Sequence, residues 1–329
     1  MKRGCLSLIF VILIALASPV SGDQEAEEIL KAIVKIRSIV PENARTAEIL
    51  GTEREGSGVV IDSNGHILTI GYLMIEADAI EVVGPRGKPI SAAFVGYDGN
   101  TGFGLLRTTK PLNVKPMELG QSSEIKEGDP ILVASHGGSD SVQSARVVSR
   151  MEFAGYWEYL LEDAIFAAPP HPNFGGAALI GPDSRLLGIG SIYTHVMVAG
   201  LGTLACNMFV PIDLLRPILA DLIATGRSRQ KPKPWLGLQA EEAHGRVFVL
   251  RVTSGGPAKQ AGLKRRDLIL TVKGRAVSGL SDFYRKVWAL GSAGVDVPLG
   301  VLRGIQIHDI TVRRPIAINF SGLNRRSSP

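Results

Sequence analysis

Hydroxyl, imidazole and carboxylate side chains cluster in several loops of this 329-residue chain. His136 stands in Ser135-His136-Gly137-Gly138, with Ser139 and Asp140 just beyond. His171 opens His171-Pro172-Asn173-Phe174-Gly175-Gly176, and His66 follows Asn64-Gly65. A hydroxyl becomes a nucleophile when an imidazole takes its proton and a carboxylate fixes that imidazole's tautomer. His136 or His171 with Ser135, Ser139 or Asp140 has the residue types for such a relay. The default for all three histidines is a solvent-exposed or hydrogen-bonded side chain. No His-x-x-x-His or Cys-x-x-Cys spacing supports a metal site, and no cofactor is expected. Gly137-Gly138 and Gly255-Gly256-Pro257 lack the Lys-Ser/Thr continuation of a phosphate loop and read as turns. Phe153, Tyr156, Trp157 and Tyr159 form an aromatic group suited either to a partner surface or to packing under a long loop.

Such groups need a scaffold, and the sequence offers many short apolar runs punctuated by Gly, Pro, Asn and Asp. Runs at 59–62, 66–69, 79–83, 92–96, 105–108, 131–134, 145–148 and 186–192 read as strands of an antiparallel barrel or sandwich. Asn64-Gly65 is a tight-turn dipeptide joining two of them. Residues 26–38 are ambiguous, a short helix running into the first strand. Leu214, Leu215, Ile218, Leu219 and Leu222 recur at helical spacing over 212–225, with Gly226 as the stop. A basic stretch with Pro232 and Pro234 then reads as a semi-rigid linker. Strands at 247–252, 268–272 and 296–302, with a helix over 281–290 capped by Ser281, make a small mixed α/β module.

Composition is that of a globular chain, 45% hydrophobic and 20% charged, and 329 residues suffice for two cores. The net charge of +5 and pI near 9.2 come partly from Arg227, Arg229, Lys231 and Lys233. Without interleaved aromatics these read as solvated surface charge, and nucleic acid is not an expected partner. Met1-Lys2-Arg3, an apolar stretch over 6–17 and small residues up to Gly22 have the order of a secretory signal. The apolar stretch is shorter than the ~20 residues that span a bilayer. Cleavage after Gly22 and a periplasmic or secreted destination are expected, with an uncleaved anchor as the alternative. Of two cysteines, Cys5 lies in the signal, so Cys206 is left without a disulfide partner and reads as a buried apolar residue.

Gly56-Ser57-Gly58-Val59-Val60-Ile61-Asp62-Ser63-Asn64-Gly65-His66-Ile67-Leu68-Thr69 resembles the opening of the HtrA/Deg protease barrel. The resemblance resumes at Val95-Gly96-Tyr97-Asp98, at 119–129 and at Phe209-Val210-Pro211-Ile212-Asp213-Leu214-Leu215. It continues in Trp235-Leu236-Gly237-Leu238 and in 256–270, which resemble that family's PDZ domain. The implied fold is mostly β: a trypsin-like double β-barrel over 23–228, a linker over 229–234, a PDZ domain over 235–318 and a tail over 319–329. In the family, Trp235, Leu236, Gly237 and Leu238 would form the loop whose backbone amides hold a peptide's terminal carboxylate. A glycine that frees the backbone angles and flanking apolar residues suit that task.

Matched against the same family, the catalytic positions are altered. Tyr72 stands for the histidine in Thr69-Ile70-Gly71-Tyr72, Gly102 for the aspartate in Thr101-Gly102-Phe103-Gly104, and Gly175 for the serine in the 171–179 loop. Loss of nucleophile, base and orienter together leaves no proton-transfer chain. The resemblance therefore implies a binding protein: an adaptor or chaperone-like quality-control factor for peptide C-termini or unfolded proteins. Its alternatives are an active serine endopeptidase with a rearranged site and a regulatory subunit of an active paralogue. Family members assemble as trimers, so a homotrimer or a mixed assembly is also implied.

Overall fold

A computed structural model describes residues 20–313. The expected signal up to residue 19 and the residues after 313 lie outside the described ones. Among the described residues no helix is long and apolar enough to cross a membrane. The ambiguous 26–38 stretch divides into α1 (Val20–Leu30) and β1 (Ile33–Ile39). In β1, Val34, Ile36 and Ser38 point inward while Arg37 and Ile39 point outward, the alternation of a strand with one face on a core.

α2 (Ala47–Leu50) and strands β2 (Glu53–Val60), β3 (His66–Ile70), β4 (Ala79–Val83), β5 (Pro89–Tyr97) and β6 (Phe103–Thr108) follow. With β1 they close in the order β1-β2-β3-β6-β5-β4. The β2–β3 turn is wider than the Asn64-Gly65 pair alone. It spans Asp62 to Gly65, and the Asp62 carboxylate accepts the N–H groups of Asn64 and His66. A second closed barrel, β10-β11-β12-β9-β8-β7, comprises β7 (Pro130–Ala134), β8 (Val142–Gly155), β9 (Tyr159–Ala168), β10 (Ala178–Ile180), β11 (Leu186–Val198) and β12 (Gly202–Pro211). Closure leaves neither sheet an open edge. An apolar core including Ile36, Leu68, Leu105, Phe166, Met208 and the buried Cys206 runs through both barrels, and a second, with Ile131, Leu179 and Phe209, lies in the second barrel.

The expected 212–225 helix begins with a 3-10 turn at Ile212–Leu214, and its α-helical part is α3 (Arg216–Thr225). Gly226 closes it in a left-handed conformation, donating its N–H to Leu222.

The last unit contains β13 (Leu238–Ala243), β14 (Arg246–Val252), α4 (Pro257–Gln260), β15 (Leu268–Val272), β16 (Arg275–Ala276), α5 (Leu280–Trp288), β17 (Val297–Arg303) and β18 (Gln306–Val312). The sheet order is β13-β14-β15-β17-β18, with β16 beside β15. Phe283, Tyr284 and Val287 of α5 fill its core with Leu236, Val249 and Val301. Ser281 does not cap α5. The cap residue is Gly279, and the Glu242 carboxylate accepts the Leu280 N–H at 2.8 Å. Nor is Lys233 a solvated charge: its ammonium lies 3.9 Å from the centre of the Trp288 ring, and burial lowers its pKa.

Candidate functional site

The seam between the two barrels gathers the three positions that the resemblance matches to a triad. Tyr72 lies in the 3-10 turn Gly71–Leu73 that ends β3, Gly102 just before β6, and Gly175 in the loop before β10. Gly71 donates its N–H to the Gly102 carbonyl at 2.7 Å. A Cβ on Gly175 would stand 2.9 Å from the Tyr72 hydroxyl. The phenol bridges the barrels by donating to the Ser191 carbonyl on β11 at 2.8 Å, and burial raises its pKa so that it stays neutral. Gly102 has φ +80, and Tyr159 donates its hydroxyl to the adjoining Thr101 carbonyl at 2.6 Å.

The loop around Gly175 is held by its own hydrogen bonds. The Gly176 N–H donates to Gly190, the Ala177 N–H to Phe174, and Gly175 accepts from Ser57. The Asn173 N–H donates to Nδ1 of His171 at 3.0 Å, which leaves the ring proton on Nε2, 3.2 Å from the Ser141 carbonyl. Burial lowers the His171 pKa and keeps that ring neutral.

All three histidines are hydrogen-bonded, which is their default, and the ring partners of His136 and His171 are not Ser135, Ser139 or Asp140. His66 pairs with Asp62 at 2.6 Å. The His136 ring meets neither Ser135, Ser139 nor Asp140 but Ser57 of β2: Nδ1 lies 3.1 Å from Ser57 Oγ, and Nε2 4.0 Å from a Glu55 oxygen. That is the outline of a hydroxyl–imidazole–carboxylate relay. Ser57 has 0% exposure, however, so no substrate carbonyl can reach its oxygen. Burial also lowers the His136 pKa, with Lys35 acting in the same direction. Among the described residues no three His, Cys, Asp or Glu side chains gather as metal ligands would.

The loop Trp235-Leu236-Gly237-Leu238 enters β13 with Gly237 at φ +77, a left-handed conformation that favours glycine. The turn aims the N–H groups of Leu236, Gly237 and Leu238 at one point, and the carboxylate of Glu158 sits there, accepting them at 2.8, 2.7 and 3.1 Å. Glu158 belongs to the β8–β9 hairpin of the second barrel. No reading of the sequence identified it, because its partner begins 78 positions away and nothing local marks the pairing. The aromatic group around it divides its work: Tyr159 is buried and stacks on Trp157 at 5.4 Å, whereas Tyr156 is exposed. A cleft of about 930 Å³ separates β13 from the barrel seam, lined by Tyr72, Phe174, Tyr193, Trp157, Leu238 and Ala240 among others.

Two family models match the chain: the trypsin-like peptidase domain over residues 56–189 and the PDZ domain over 234–313. A probable periplasmic serine protease of the do/HhoA-like kind from Haemophilus influenzae is 26% identical over 278 residues, 78% of this chain and 57% of the relative. The periplasmic pH-dependent serine endoprotease DegQ of Escherichia coli is 24% identical over 263 residues, 75% of this chain and 56% of the relative. The chain thus spans little more than half the length of these relatives. Among solved structures, the serine endoprotease from Yersinia pestis superposes with a TM-score of 0.51 at 21% identity, covering 90% of this chain and 98% of that one. An HtrA-type protease, AlgW with a tripeptide, gives 0.50 at 22% identity, with coverages of 88% and 96%. At these identities the structural likeness concerns the fold.

Proposed function

Because the chain belongs to the HtrA/Deg family, a trypsin-like barrel joined to a PDZ domain, we propose that it binds polypeptides without cutting them. The observation that carries this reading is the Tyr72 phenol, lying where a side chain on Gly175 would reach and tied to Ser191, so no imidazole stands beside Gly175 to serve as its base. A trypsin-fold oxyanion hole uses the amide at the nucleophile and the amide two residues before it. With Gly175 at the nucleophile position, the second of these is Asn173, whose N–H is engaged by His171. Peptide capture then falls to the PDZ loop, whose three convergent amides suit a terminal carboxylate.

In this reading the protein is an adaptor or chaperone-like factor of the periplasm, where the curated relatives are described, with peptide C-termini or unfolded segments as clients. Assembly as a homotrimer or with an active paralogue belongs to the same proposal. The test is incubation of the mature protein with an unfolded casein-like substrate. No fragments are expected, and cleavage would overturn the reading. A second reading, an endopeptidase with a displaced site, has the Ser57–His136 pair in its favour and the burial of Ser57 against it. Covalent labelling by a fluorophosphonate, lost in Ser57→Ala, would establish it.

A further inference from the structure

We propose that the PDZ groove is already occupied by a segment of this chain, the β8–β9 hairpin tip, and that a peptide with a free C-terminal carboxylate binds only by displacing it. The proposal rests on the reading of the Trp235–Leu238 loop as a carboxylate site and adds how that site is controlled.

Four features make the hairpin tip a ligand rather than a neighbour. Its Glu158 side chain presents the same functional group as a chain terminus, and three backbone N–H groups hold it. Two residues earlier, the Tyr156 carbonyl accepts the Ala240 N–H at 2.9 Å, so the tip is also bonded to the backbone of the edge strand β13. An extended peptide augmenting this edge would use the same Ala240 N–H, with its acidic end in the same loop. On the other flank, Tyr284 of α5 donates its hydroxyl to the Gly155 carbonyl at 2.7 Å and accepts the Glu158 N–H at 3.1 Å. The tip therefore lies between β13 and α5, bonded to both.

The fourth feature is backbone conformation. Glu158 has φ +63, a left-handed geometry that costs a non-glycine residue free energy. Glycine or asparagine would make the same turn more cheaply. Neither carries a carboxylate, and the carboxylate is what the amides hold. Outside the groove, Arg285 of α5 pairs with Glu152 on β8, so the hairpin is also clamped at its base.

Competition follows from geometry: Glu158 and a peptide terminus cannot occupy the same three N–H groups. The apparent affinity for peptide is then reduced by the fraction of molecules whose hairpin is out.

The experiment compares the full mature chain with Glu158→Gly, which removes the carboxylate while easing the left-handed backbone, and with Glu158→Gln, which keeps the side-chain shape. Amide hydrogen exchange without peptide reads the occupant directly. Leu236, Gly237 and Leu238 are expected to be protected in the natural chain and to exchange at least about tenfold faster in Glu158→Gly. Equal exchange in the two proteins would overturn the proposal. Fluorescence anisotropy with a labelled decapeptide mixture ending in Val, Leu or Phe, free or amidated, is the second arm. Binding about tenfold tighter or more in Glu158→Gly, by free-carboxylate peptides only, is expected. Tight binding that is the same in both proteins would overturn self-occupation and leave the peptide-binding reading standing. Amide protection lost in the variant but no peptide bound by either protein would keep self-occupation and overturn the peptide-binding reading.

Discussion

A side chain at position 102 would have to accept φ +80, so a carboxylate placed there carries a backbone cost. Space is available, since an added Cβ meets nothing closer than 3.4 Å, so the cost lies in the backbone. Gly102→Asp should lower stability by about 1 kcal/mol, aspartate being among the more tolerant residues in this region. Urea denaturation measures it. The triple variant Tyr72→His, Gly102→Asp, Gly175→Ser should still not cleave casein, because the 102 backbone is reversed and Asn173 remains turned toward His171. Gained cleavage would show that both rearrange readily. Glu158 offers a pH test. Burial raises its carboxyl from an ordinary 4.5 to about 7, against the pull of the amides of Leu236, Leu238 and Gly237. Tyr284 faces it from α5, Lys233 and Trp235 line the same pocket from the linker side, and Leu236 to Leu238 contribute only amides. A docked group with a raised pKa holds its proton more tightly than the released one. Docking is therefore strongest below pH 4.5 and weakens as pH climbs to about 7. Exchange at Leu236–Leu238, corrected for its intrinsic rate, should rise across that window in the natural chain and stay flat in Glu158→Gln. Protection that grows with pH would mean that the amide donors outweigh burial.

At the scale of elements, the hairpin depends on one helix residue for two bonds. Tyr284→Phe keeps the ring in the core but strips a partner from the Gly155 carbonyl and the Glu158 N–H. Leaving buried polar groups unpaired costs about 1–3 kcal/mol. Faster exchange across Leu236–Leu238 with little change in the barrel is expected, and an unchanged profile would mean the hairpin is held without this hydroxyl. Elements with local signals were legible from sequence: the short barrel strands between turn residues, α3 with its Gly226 stop, and α5 with Phe283 and Val287 on one face. β9 and β12 were not read as strands, because Ala, Phe, Glu, Asp, Asn and Cys interrupt their alternation and only pairing with β8 and β11 fixes them. The sites divide in the same way. Tyr72, Gly102, Gly175 and the Trp235–Leu238 loop are proposed from contiguous motifs. Glu158 and the Ser57–His136 pair join distant segments, and no local pattern announces them.

The whole molecule is coupled through that same hairpin. Leu160 of the barrel contributes to the apolar core of the PDZ unit, Tyr156 pairs with β13, and Glu158 fills the loop. The ion pair between Arg251 and Glu48 is exposed and adds little. Two domains tied by buried contacts stabilise each other, and the less stable one gains most of the docking free energy as a raised melting point. Scanning calorimetry of the natural chain should therefore show the PDZ unit melting with the barrel. In Glu158→Gly the PDZ unit should melt earlier, by about 5 °C or more for each kcal/mol of docking lost in a domain of this size. A 10-fold change in hairpin release corresponds to about 1.4 kcal/mol, so calorimetry and amide exchange must agree in size. Faster exchange without a shifted transition would mean that the tip leaves the groove while the domains stay docked through Leu160 and the Arg285–Glu152 pair. The groove could then open to a peptide without the two halves separating.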